Sequence, residues 1–247
     1  MCGRYANAMG GQQLAESFSA RDETGGTQPN FNVAPTASAP VVVIPSGQPT
    51  PAPRLRLTRW GLVPSWANDV TIGNRMINAR AETVAIKPAF RAALRARRCL
   101  VPITGYYEWH RVEGVRRAQP YLVRPADSEF GALAGLYELW RPPSGDTLAT
   151  FTIITTTAPA GLEFLHPRSP VVLPPAAWSH WLDPGLDDPA TLTSMLGPAP
   201  AGVLRAYPVS SQVGNVRNNG PHLLEPVTPA GDEADGTGRR ATHAARS

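Results

Sequence analysis

The chain has 247 residues, 42% hydrophobic and 17% charged, a composition that excludes wholesale disorder and a coiled coil and leaves room for one well-filled core. Its formal charge of +4 is compatible with a nucleic-acid partner, but only Lys87 among the 23 basic residues is a lysine, so arginine-rich codon usage explains the charge equally well. Two cysteines and five scattered histidines form no metal-spaced set, and neither an apolar signal region nor a membrane-length apolar run is present. We therefore expect a cytosolic monomer with reduced thiols, no membrane association, no metal and no cofactor.

In chain order, residues 10–20 (GGQQLAESFSA) read as a short amphipathic helix and 31–35 (FNVAP) as a turn. Residues 39–47 (APVVVIPSG) and 55–64 (LRLTRWGLVP) read as strands, the second by its alternation of apolar and polar positions. Residues 74–83 (NRMINARAET) have no clean period and read as a loop. Residues 87–99 (KPAFRAALRARRC) are the best helix, with Pro88 in its first turn.

From Cys99 the texture turns to β: CLVPITGYYEWHRV, QPYLVRP, FGALAGLYELW and ATFTIITTTA. The turn signals VEG, PADS and PPSGD between these runs predict an antiparallel meander. Two short helices (176–182 and 189–196) and a last strand (204–210) follow. The whole predicts a single α+β domain over residues 2–227, rich in antiparallel strands with a few peripheral helices. Periodicity leaves open whether the strands close into a barrel. Residues 228–247 lack apolar periodicity and are expected to be disordered.

The chemistry begins at MCGRYA. Removal of Met1 would leave Cys2 with an α-amine and a thiol on neighbouring carbons, with ordinary pKa values near ~7.7–8.0 and ~8.5, so a fraction of each is nucleophilic at neutral pH. Such an amine condenses with an aldehyde to an imine, and the thiol can close on the imine carbon to a thiazolidine. The same pair could instead hydrolyse an amide, as N-terminal-nucleophile amidotransferases do. Cys2 at this position by chance is the plain alternative.

INARAET (77–83) sets Asn78, Arg80 and Glu82 at alternate positions, where they form either a site wall or a solvated salt bridge. GYYEWH (105–110) embeds Glu108 among aromatics; desolvation there would raise its pKa and suit it to proton transfer, while a surface Glu paired with an arginine would read the same. LHPRSPVV (165–172) puts His166, a group that titrates near neutrality, and Arg168, a phosphate-gripping type, just before an apolar strand, although a histidine before proline is often only a loop residue.

MCGRYA, FNVAP, RWGLVPSWA, INARAET, KPAFRAALRARRCLVPITGYYEW, HPRSPVVL and YPVSSQVGNVRNNGPHLLEP, in this order, resemble the SRAP (SOS response-associated peptidase) family from Cys2 to about Pro226. The resemblance implies a compact β-rich domain with a positively charged groove. It implies a protein that crosslinks to abasic sites in single-stranded DNA through a thiazolidine at Cys2. By the same resemblance Asn78 orients the terminal group, Glu108 moves protons and His166 helps to open the sugar ring. Arg4, Arg80 and Arg168 match positions that contact phosphates, Trp66 and the turn from Asn32 to Pro35 match the channel lining, and Thr155 matches a wall hydroxyl. The chain departs from the family pattern at Ile103-Thr104 and at Ser169, where Met is frequent. A non-covalent single-strand binder and an amidohydrolase remain the alternatives.

Overall fold

The computed structural model describes residues 2–45, 47, 50–111, 117–142 and 145–228. Its strands are β1 (Tyr5–Asn7), β2 (Arg21–Asp22), β3 (Asn30–Val33), β4 (Ser38–Val43), β5 (Arg54–Trp60), β6 (Asn78–Arg80), β7 (Arg98–Ile103), β8 (Gly105–His110), β9 (Gln119–Pro125), β10 (Gly131–Trp140), β11 (Leu148–Thr157), β12 (Arg168–Pro170), β13 (Val172–Leu173) and β14 (Leu204–Pro208). Four short helices accompany them: α1 (Gly11–Ser17), α2 (Arg91–Ala96), α3 (Trp178–Leu182) and α4 (Pro189–Ser194). The α+β, mainly antiparallel reading is correct.

The strands form two sheets. One runs β14-β9-β8-β1-β3 and is antiparallel throughout. The other runs β12-β11-β10-β7-β4-β5-β2, and a parallel pairing of β5 with β11 (Phe151 opposite Trp60) closes its five inner strands on themselves. Strands β5, β4, β7, β10 and β11 therefore form a closed five-membered ring, the barrel that periodicity left open. Closure hides the edges that an open sheet would expose.

Alternation along the ring strands separates two cores. Val41, Val43, Cys99, Val101, Leu133, Phe151 and Ile153 gather with Cys2, Tyr5 and Trp60. Their neighbours Val42, Leu100, Ala132, Ala134 and Ile154 pack instead with Leu14, Leu94, Trp181 and Leu192 from the four helices.

Several elements differ from the sequence reading. The expected meander is two hairpins in different sheets: β8 pairs with β9, and β10 with β11. Only Thr104 separates β7 from β8, so the chain crosses from ring to sheet within one residue. Of the turn signals, VEG and part of PPSGD lie outside the described residues. The segment read as a turn at 31–35 is largely strand β3, and the loop at 74–83 contains β6, paired in parallel with β11. Three residues carry no readable period, so only their distant partner reveals them. The helix read at 87–99 is only α2; Pro88 precedes it, and Arg98 and Cys99 already pair with β10. Strand pairing in the ring outweighs helix propensity there.

Arg98 ties these parts together. It is 4% exposed and donates to the carbonyls of Leu94, Arg95, Trp181 and Asp183. Its guanidinium thus caps the C-terminal carbonyls of α2 and clasps α3 onto β7. Arg98→Leu strips charged hydrogen bonds from buried carbonyls and is expected to destabilise the protein by about 3 kcal/mol, read as a lowered urea midpoint at unchanged slope.

Candidate active site

Strand β1 lies between β3 and β8, so the head of the chain runs through the middle of a sheet rather than along an edge. The ladder pairs Tyr5 with Tyr106 and Ala6 with Gly105, and the Tyr107 N–H donates to the Arg4 carbonyl at 2.9 Å. Continued by two residues, this register sets Glu108 beside Gly3 and Cys2. Cys2 is fully buried, in the core cluster that holds Tyr5, Trp60 and Cys99. Tyr5 packs tilted against Trp60 with ring centroids 5.3 Å apart, and the Trp60 indole donates to the Ile77 carbonyl at 2.9 Å. One residue further on, Asn78 Nδ2 donates to the Cys2 carbonyl at 2.9 Å. The Asn78 Oδ1 is buried and has no hydrogen-bond partner among the described residues, an acceptor held ready beside the chain head.

The electrostatics follow from burial. Desolvation pushes the Cys2 thiol far above its ordinary value, and the Glu108 carboxylate adds to the shift; the charged amino terminus and the Arg4 backbone N–H oppose it. Glu108 is 7% exposed, and its burial raises its pKa against the pull of the amino terminus and the Trp109 N–H. His166 is half-buried and shifted downward, chiefly by desolvation and then by the positive amino terminus. Its Nδ1 accepts the Arg168 N–H at 2.9 Å, which places the proton of the neutral ring on Nε2. Glu108 and His166 thus both respond to the charge at the chain head.

The arginines are mostly occupied. Arg168 reaches Glu82 through two bonds of 3.0 Å and donates to the Thr155 carbonyl at 2.7 Å. Thr155 is fully buried in β11, its hydroxyl 3.4 Å from the Ala79 carbonyl, so it faces the ladder. Arg4 donates to Asn32 Oδ1 and to the Val213 carbonyl, both at 2.8 Å, and lies 5.8 Å over the Trp109 ring. The buried Asn32 in turn donates to the carbonyls of Val213, Asn215 and Asn218. Both side chains tether the segment 213–218 to the head of the chain. Arg80 is exposed on β6, and Glu82 follows that strand in a turn instead of extending it.

Pro35 sits half-buried in the β3–β4 turn. There the Thr36 N–H donates to the Trp60 carbonyl and Thr36 holds a left-handed φ of 72°. Trp66 is 58% exposed and lines a groove with Ala67, Asn68, Asp69, Thr71, Ile72, Asn74 and Arg75, a lining that includes none of Cys2, Asn78, Glu108 or His166. A close crossing fixes this loop: a side chain on Gly61 (φ 115°) would meet the Gly73 carbonyl oxygen at 2.6 Å. Among the described residues no group of His, Cys, Asp and Glu could hold a metal ion, and no helix is long and apolar enough to cross a membrane.

The model of the SOS response associated peptidase (SRAP) family matches residues 1–216. The chain belongs to this family. It is 40% identical over 227 residues to the abasic site processing protein YoqW of Bacillus subtilis (strain 168), covering 91% of this chain and 99% of the relative. It is 30% identical over 266 residues to the abasic site processing protein HMCES of Gallus gallus, covering 92% of this chain and 78% of that one. A crystal structure of a Bacteroides thetaiotaomicron protein shares the fold with a TM-score of 0.81 at 24% identity, over 92% of this chain and all (100%) of that one.

Sequence reading named Cys2, Asn78, Glu108 and His166, and set Tyr106 beside Glu108, but gave no part to the hydrogen bonds of Ser169 and His110. Alternation in GYYEWH was the available signal, since it sets Tyr106, Glu108 and His110 on one face. Because the folded protein holds the Glu108 proton more tightly than the unfolded chain, this group favours folding below about pH 4.3 and loses that contribution as pH rises through its raised folded value. Glu108→Gln removes the cost of keeping a desolvated carboxylate charged, so it is expected to be more stable than the parent at pH 7, by on the order of 1 kcal/mol. The gain should vanish near pH 4, as read from urea midpoints at the two pH values.

Proposed function

We propose that this protein processes abasic sites in single-stranded DNA by forming a covalent crosslink through Cys2 once Met1 is removed. The reading rests on one observation above all: the carbonyl of a fully buried Cys2 is gripped by Asn78, and the buried Glu108, its pKa raised by desolvation, acts electrostatically on the Cys2 thiol. The names of the relatives, abasic site processing proteins, point to the same substrate.

In this mechanism the neutral α-amine of Cys2 attacks the aldehyde carbon of the ring-opened deoxyribose, and the resulting carbinolamine loses water to give an imine. The thiol sulfur then adds to the imine carbon while its proton passes to the imine nitrogen, closing a thiazolidine. Glu108 relays protons at both stages, its raised pKa keeping a protonated fraction closer to neutrality than an ordinary carboxylate has. His166, neutral with its proton on Nε2, donates to the sugar oxygen as the ring opens. A buried thiol suits this order of events. Burial favours the neutral thiol, which becomes competent when an imine forms beside it, where proximity replaces ionisation.

Strand contacts come from Arg80 and from Arg168, which Glu82 holds in place. Trp66 offers an exposed ring for base stacking. Arg4 acts indirectly, through the segment it tethers. The protein works as a monomer on DNA in the cytoplasm, with no cofactor.

Intact mass of the purified protein, before and after incubation with an abasic single-stranded oligonucleotide, tests this reading. A protein-DNA adduct that survives denaturing electrophoresis is expected. Cys2→Ala should abolish it or leave only an imine that borohydride can trap. An unchanged stable adduct from Cys2→Ala rejects the thiazolidine. No adduct from the demethionylated parent rejects covalent capture altogether and favours a plain single-strand binder.

A further inference from the structure

Tyr106, Glu108 and His110 alternate along β8 and so share one face, while Tyr107 and Trp109 turn to a separate apolar cluster. The segment from Phe164 to Ser169 is hydrogen-bonded to both ends of that face. At one end the Tyr106 hydroxyl and Ser169 Oγ lie 2.9 Å apart, both residues buried, at 2% and 3% exposure. The Ser169 hydroxyl gives its proton to the Pro170 carbonyl at 3.1 Å, so the Tyr106 phenol is the donor. At the other end His110 Nδ1 lies 2.8 Å from the Phe164 carbonyl and must donate to it. Ring contacts reinforce this end: His110 to Phe164 at 5.3 Å and Tyr121 to Phe164 at 5.7 Å. Tyr121 is the residue directly opposite Glu108 in the β8–β9 ladder.

The two attachments are four residues apart on β8 and five apart on the segment, and they run in opposite senses: Tyr106 meets Ser169, and His110 meets Phe164. Glu108 is midway along the first span and His166 midway along the second. Both side chains feel the positive amino terminus, which pulls against the raised pKa of Glu108 and adds to the lowered one of His166, so both spans face the head of the chain. His166 also turns Nδ1 back onto the Arg168 N–H, which leaves Nε2 as the nitrogen directed away from its own backbone.

We infer that the Tyr106–Ser169 and His110–Phe164 bonds are a pair of bolts that hold His166 in register over Glu108, making His110 and Ser169 positioning residues for the crosslinking reaction; the inference deepens the function proposed above and rests on it. The bolts differ in kind. The Ser169 bolt is buried. The His110 bolt sits at the surface, where Phe164 is 50% exposed, so it can be altered without opening the core.

His110→Phe keeps the ring contacts and loses the hydrogen bond; His110→Asn keeps a donor and loses the ring; Ser169→Ala removes the other bolt. Single-turnover adduct formation on an abasic oligonucleotide is measured for each, and for the His110→Phe/Ser169→Ala pair. We expect the pair to slow the reaction by roughly tenfold to a hundredfold, the scale of a small misplacement of a reacting group, with the half-saturating oligonucleotide concentration unchanged. His110→Asn on the Ser169→Ala background should recover most of that rate. In the free protein, NMR titration of the His166 ring should move up in the pair as the segment admits water.

A folded double variant whose rate and His166 titration both match the parent overturns the inference. So does a rate loss that His110→Asn fails to rescue. If the double variant does not fold, the two single variants decide by the same readouts. If the parent itself forms no adduct, the proposed function falls, and the His166 titration still judges the bolts on their own.

Discussion

The placement of residues 2–7 governs everything else in this molecule. A chain terminus normally frays, because few contacts repay the entropy of ordering it. Here β1 is an interior strand, with β3 on one side and β8 on the other, and Cys2, Tyr5 and Ala6 are all fully buried. The Asn78 amide secures the Cys2 carbonyl from a third strand, and Arg4 is fastened to Asn32 and to the 213–218 segment. A chain head held this way is preorganised, its ordering cost already met by the fold.

That burial sets the chemical character of the chamber. Cys2, Glu108 and His166 are each displaced toward their uncharged forms, and desolvation is the leading cause for all three. Neutral groups in a low-dielectric site transfer protons with little solvent reorganisation. A chamber of neutral donors and acceptors suits chemistry in which water is lost and a proton passes from sulfur to nitrogen. A site built around a standing thiolate would require the opposite arrangement, with cations or a helix N-terminus beside the sulfur.

The arginine-rich composition also acquires a different meaning in three dimensions. Arg98 clasps helices through carbonyls, Arg54 and Arg56 share Glu23, Arg97 pairs with Glu138, and Arg168 is forked onto Glu82. Much of the positive charge is therefore spent on internal order. Net charge alone therefore overstates the surface available to a polyanion, while Arg80 is exposed on β6.

Local patterning carried a good deal. The amphipathic stretches, the alternating runs and the motifs around Cys2, Asn78, Glu108 and His166 were all legible, because helix and strand periods and short-range chemistry are written in neighbouring residues. Closure of the ring was not, since it depends on β5 meeting β11 across some ninety residues of sequence, and neither strand carries a mark of its partner. Strand β6 and the early end of α2 were invisible for the same reason: a distant ladder outweighed local preference. The burial of Cys2 likewise belonged to the tertiary structure. An amino-acid letter specifies a thiol, but only the packing of Tyr5, Trp60 and Cys99 around it decides how much water reaches the sulfur.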